Sequence, residues 1–128
     1  MSKKEAEIKQ YTDSDLNTQE KLFSKIQECV NADSSLKPSM FRRNIANQVK
    51  SFQKLLKDVE SLKSNPSSMN SKTGEKLKKD LENLQNKANL YVRQNRKKSK
   101  RTVLDENKYL CALKFSDVAY SAIWDLKI

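Results

Sequence analysis

The chain has 128 residues and a net charge of +10, from 26 Lys and Arg against 16 Asp and Glu. The absence of His removes the commonest general base, and two Cys without His leave a structural zinc site short of its usual ligands, so no catalytic residue, metal or cofactor is expected. One Gly and two Pro are too few chain breakers for a turn-rich sheet, and a sequence rich in Lys, Glu, Gln, Leu and Asn favours helix, so one all-α domain is expected.

The opening "MSKKEAEIKQ" has no apolar centre, and no apolar run approaches the roughly 18 residues a membrane helix needs. We expect a soluble, intracellular chain, cytoplasmic rather than nuclear. Residues 1–11 read as a polar tail that frays, with Ile8 and Tyr11 as its two anchor candidates. Residues 12–128 read as a single helical-bundle domain.

Thr12 followed three residues later by Asp15 has the form of a capping box and predicts a first helix from there to about Asn31. Leu16, Leu22, Phe23, Ile26, Cys29 and Val30 make its apolar stripe. "NADSSLKP" breaks the pattern, and Pro38 suits the first turn of a second helix running to Leu62. This is the clearest amphipathic segment, with Phe41, Ile45, Val49, Phe52, Leu55, Leu56, Val59 and Leu62 at steps of three and four.

After the loop "KSNPSSMNSKTG" a third helix is predicted from about Glu75, carrying a narrow seam of Leu77, Leu81, Leu84, Ala88 and Tyr91. Tyr91 belongs to that seam rather than to a base-stacking surface. Thr102 and Asp105 repeat the capping-box signal and open a fourth helix. Residues 109–126 are apolar around most of the circumference, so this helix wants partners on more than one side. The expected architecture is an antiparallel four-helix bundle of three amphipathic helices and a more apolar C-terminal one. Cys29 and Cys111 each sit in an apolar helical pattern and read as reduced core thiols.

The charge is concentrated. Residues 1–71 carry 12 cations against 9 acids, residues 72–101 carry 11 against 3, and residues 102–128 carry 3 against 4. Its densest run, "RQNRKKSKR" at 93–101, has three readings: a helix end whose cations complement unpaired carbonyls, a phosphate-binding grip, or a nuclear address or anionic-membrane patch. No aromatic interleaves the run, which argues against base stacking. The candidate binding residues are Lys78, Lys79, Arg93, Arg96, Lys97, Lys98, Lys100 and Arg101, and Trp124 is a candidate apolar anchor that could equally close the core.

Residues 14–98 also resemble a known architecture. Lys25 and Ile26 near the end of a first helix, "LLKDVESLKSNPSS" closing a second and the lysine-rich "KLKKDLENLQNKANLYVRQNRKK" of a third are similar to the N-terminal three-helix bundle of Q-SNAREs of the Vti and syntaxin 6 types. The resemblance implies a vesicle-traffic domain that binds adaptors or tethers, or regulates fusion, without catalysis. Residues 102–128 depart from it, with neither a heptad-repeat SNARE helix nor a membrane anchor, and no partner-binding residue carries over.

The function expected from all this is protein–protein interaction, as an adaptor, regulatory subunit or trafficking module whose basic third helix meets an acidic partner. The alternative is a small basic protein that binds DNA or RNA through phosphate contacts with little sequence preference.

Overall fold

Thr18, not Thr12, starts the first long helix: its hydroxyl accepts the Lys21 N–H at 3.1 Å, and α1 spans Gln19–Ala32. The computed structural model describes residues 8–33, 39–68, 71–96 and 101–126. The Thr12 signal serves a shorter element. Its N–H and hydroxyl both donate to the Asp15 carboxylate, at 2.8 and 3.1 Å, but they close only the 3-10 turn Asp13–Asp15. Tyr11 and Leu16 on either side of that turn both enter the core. Five residues of continuous helix would have set them about 140° apart.

Of the tail expected to fray, residues 1–7 lie outside the described residues, and residues 9–11 are bonded to the bundle. The Tyr11 N–H donates to Asn107 Oδ1 at 2.8 Å and Asn107 Nδ2 donates to the Lys9 carbonyl at 2.8 Å. Tyr11 is the anchor of this strap, with its side chain in the core.

The predicted second helix is two helices. Helix α2, Met40–Asn44, opens on Ser39, whose hydroxyl accepts the Arg42 N–H at 3.1 Å. A 3-10 turn at Ala46–Gln48 follows, then α3, Val49–Ser64. Pro38 lies outside the described residues. Amide side chains mark the break: Gln48 Nε2 donates to the Arg43 carbonyl at 2.7 Å, and Asn44 Nδ2 donates across to the Lys87 carbonyl at 3.3 Å. Such bonds compete with the helical ladder. At the break Ile45 leaves helical geometry (φ −120°, ψ −65°), and Phe41 on α2 packs edge-on against Tyr91 at 5.5 Å.

Helix α4, Ser71–Asn95, begins four residues before the predicted start and runs through Gly74. It ends at Asn95, inside the basic run 93–101. Asn95 Nδ2 donates back to the Tyr91 carbonyl at 2.8 Å, and the Arg101 guanidinium takes the Asn95 carbonyl, so the last turn is closed by side chains. Helix α5, Val103–Asp125, has the predicted capping box: the Thr102 hydroxyl accepts the Asp105 N–H at 3.0 Å and the Asp105 carboxylate accepts the Thr102 N–H at 3.2 Å.

The helices pack up-down-up-down. Helix α5 runs antiparallel to α4, with Ser116 Oγ donating to Asn89 Oδ1 at 2.7 Å, and antiparallel to α1, with Lys108 Nζ on Asp33 Oδ2 at 2.8 Å. It runs parallel to α3, which it meets at Phe52 and Phe115 (centroids 4.2 Å apart) near one end and at Lys63 and Asp125 near the other. The chain is therefore an all-α helical bundle with one core, and no strand occurs among the described residues. The breadth of the α5 apolar surface has its explanation here. Leu104, Cys111, Ala112, Phe115, Ala119, Ala122 and Ile123 are buried, and the small Ala112, Ser116 and Ala119 allow close approach to its neighbours.

Candidate interaction surface

Helical geometry decides which cations of α4 share a face. At 100° per residue, Leu77, Leu81, Leu84, Ala88 and Tyr91 point to the core, Lys72, Lys79 and Arg93 fall on the opposite side, and Lys76 falls on the flank that faces α3. Lys79, Arg93 and Arg96 are exposed, as expected, whereas Lys78 is half-buried on the flank. Lys79 and Arg93 are fourteen positions apart, about 21 Å along the axis, so the predicted cations form a long stripe with an N-terminal and a C-terminal group. Lys97, Lys98 and Lys100 lie outside the described residues.

Arg101 leaves the candidate set. It is half-buried, its Nη1 donates to Glu106 Oε2 at 3.0 Å, its Nη2 holds the Asn95 carbonyl, and its guanidinium lies 4.4 Å from the Tyr109 ring centroid. It is an interhelical fastener joining the end of α4 to the first turns of α5, and its charge is spent there.

The tertiary structure adds cations that linear charge density does not reveal. Arg42 and Arg43 on α2 are exposed, and the Asn44 to Lys87 bond brings that helix to the middle of α4. Between α3 and α4 lies a cleft of about 530 Å³, floored by Leu55, Leu77 and Leu84. Lys54 and Lys76 stand on its rims with Asp58 and Asp80, and Ser51, Thr73 and Asn83 offer hydrogen bonds. The signal for it was present as Arg42, Arg43, Lys50, Lys54 and Lys57 on the polar face of the second predicted helix. Nothing in one dimension says that this face borders the lysines of α4.

Trp124 is 53 % exposed, so it does not close the core. It pairs edge-on with Tyr120 at 6.1 Å.

Cys29 and Cys111 are free, fully buried thiols on facing helices. The hydrogen bond between them lowers the Cys29 pKa, and that bond together with burial raises that of Cys111. Cys29 Sγ also donates to the Tyr11 hydroxyl at 3.7 Å, and burial pushes the Tyr11 phenol well above its ordinary value. Among the described residues no group of three or more Cys, Asp or Glu could hold a metal ion, and no helix is long and apolar enough to cross a membrane.

The chain matches no protein-family description, no curated protein and no solved structure.

Proposed function

We propose that this bundle is a non-enzymatic protein–protein interaction module, an adaptor or regulatory subunit, whose basic α2–α3–α4 side takes an acidic partner. The observation that carries the reading is the cleft between α3 and α4: an apolar floor of Leu55, Leu77 and Leu84 bordered by Lys54 and Lys76 and by Asp58 and Asp80, on a bundle whose α2 and α4 also expose Arg42, Arg43, Lys79 and Arg93. An amphipathic helix with an acidic flank fits such a floor and rim, the apolar residues supplying affinity and the cations steering encounter. A trafficking role is the more specific form of the same proposal and rests on the resemblance of residues 14–98 alone.

The exposed cations of α4 also support a second reading, phosphate contacts along a nucleic acid. Both are tested by titrating the protein with an acidic amphipathic peptide and with single- and double-stranded DNA and RNA over a salt series. Under the first reading the peptide binds saturably, and replacing Lys54 and Lys76 by Glu weakens it roughly tenfold, a loss of about 1.4 kcal/mol. Binding of nucleic acid that falls as a steep power of salt, with the peptide ignored, would replace the first reading by the second.

A further inference from the structure

Helix α5 carries a second exposed face, opposite in character to the basic side. Leu113, Asp117, Tyr120 and Trp124 follow one another at steps of four, three and four and so form one line on the helix. The three apolar members are 36 %, 52 % and 53 % exposed, and the carboxylate of Asp117 is exposed between them. Alongside runs a smaller cleft of about 200 Å³, lined by Glu60, Asp117 and Asp125 against Lys114. Lys63 answers Glu60 at 3.7 Å and Asp125 at 3.4 Å. Three carboxylates thus meet two cations along this border, and Asp117 is the carboxylate that stands within the exposed line itself.

Tyr and Trp supply large contact areas at low entropic cost, and such residues dominate binding energy when a partner covers them. We propose that this line docks a basic amphipathic helix of a partner protein, with apolar residues seated on Leu113, Tyr120 and Trp124 and a Lys or Arg reaching Asp117. The charge selects this occupant. A second copy pairing through the same line about a two-fold axis would bring the two Asp117 carboxylates close together beside the axis, and anionic lipid headgroups would meet the Asp117 carboxylate near the centre of the line. The α3–α4 cleft plays no part in the proposal.

Trp124 is the only tryptophan, so its fluorescence reports occupancy of this face directly. The full chain is titrated with a helical peptide of Leu and Lys, with its Leu and Glu counterpart, and with anionic vesicles. The expected result is a saturable blue shift of Trp124 emission with the Leu/Lys peptide alone. Tyr120→Ser should weaken it at least tenfold, and Asp117→Lys should transfer the preference to the Leu/Glu peptide. Both positions are exposed, so unchanged thermal unfolding is the control for folding. No shift, equal shifts with both peptides, a shift produced by vesicles, or one produced by raising protein concentration alone with a matching gain in mass would each overturn the proposal.

Discussion

The carboxamide of Asn107 clasps the backbone at Tyr11 from 96 residues away, accepting its N–H at 2.8 Å and donating to the neighbouring Lys9 carbonyl at 2.8 Å. Asn107 is fully buried on α5, and its two bonds hold the strap ahead of α1 against the core. Removing it leaves the Tyr11 N–H without that acceptor, which costs about 1–3 kcal/mol. Asn107→Ala should therefore lower stability by that amount and speed hydrogen exchange at the Tyr11 amide. Unchanged exchange would mean that the Tyr11 ring holds the strap by itself.

Lys108 and Asp33 form the most enclosed ion pair described, at 2.8 Å with side chains 10 % and 12 % exposed. Lys108 also lies 5.7 Å from the Phe41 ring centroid, so its removal reaches α2 as well as α1. Removing Lys108 takes this cation from a largely enclosed Asp33 carboxylate and is destabilising, whereas apolar residues at both positions restore part of the loss. Urea denaturation should rank Lys108→Met below the double variant Lys108→Met with Asp33→Leu. The reverse order would show that the pair itself is worth more than its desolvation.

Arg101 separates structural from binding cations. Arg101→Ala removes the link among Asn95, Glu106 and Tyr109 and should cost about 1–2 kcal/mol of stability, as loss of a helix-end fastener does. It should leave affinity for an acidic peptide within twofold of the parent. Lys79→Glu and Arg93→Glu should behave oppositely, with unfolding unchanged and binding weakened. A large loss of affinity in a fully folded Arg101→Ala would return Arg101 to the binding face.

Alkaline pH should unfold the bundle. Burial raises the phenols of Tyr11 and Tyr91 above the ordinary value of 10.0. A raised folded-state pKa contributes stability that is complete below the unfolded value and lost as pH rises beyond it. Stability measured by denaturant should fall once pH rises past about 9, by about 1.4 kcal/mol per pH unit for each raised group that stays protonated in the fold, the Cys111 thiol as well as the two phenols, and Tyr91→Phe should remove one share of that slope. Both phenols ionising near their ordinary value in the folded chain, seen by tyrosinate absorbance, would contradict this.

The helices were legible in the sequence because each bears a local signal. Thr102 and Asp105 close the capping box they predict, and the Leu77 to Tyr91 seam is the buried face of α4. Helix breaks were less legible where the cause is remote: the amide bonds of Asn44 and Gln48 divide one apolar period into two helices, and Asn44 spends its amide on a carbonyl 43 residues away. The candidate surface was legible only in part. Lys79, Arg93 and Arg96 are exposed as their polar positions require, but Arg101 stands in the same basic run and is spent on Asn95, Glu106 and Tyr109. Charge density cannot tell these fates apart, because it does not contain the partner of each cation.

By itself the sequence determined the helical class, the absence of His, the charge asymmetry and the apolar faces, all properties of residue type and short-range period. Tertiary structure alone decided that Tyr11 is anchored, that α3 and α4 leave a cleft between their lysines, and that Tyr120 and Trp124 stay in water while Phe115 and Ile123 on the same helix do not. The physical reason is that a helix apolar on most sides has more surface than its neighbours can cover. Which part remains exposed is set by where those neighbours pack.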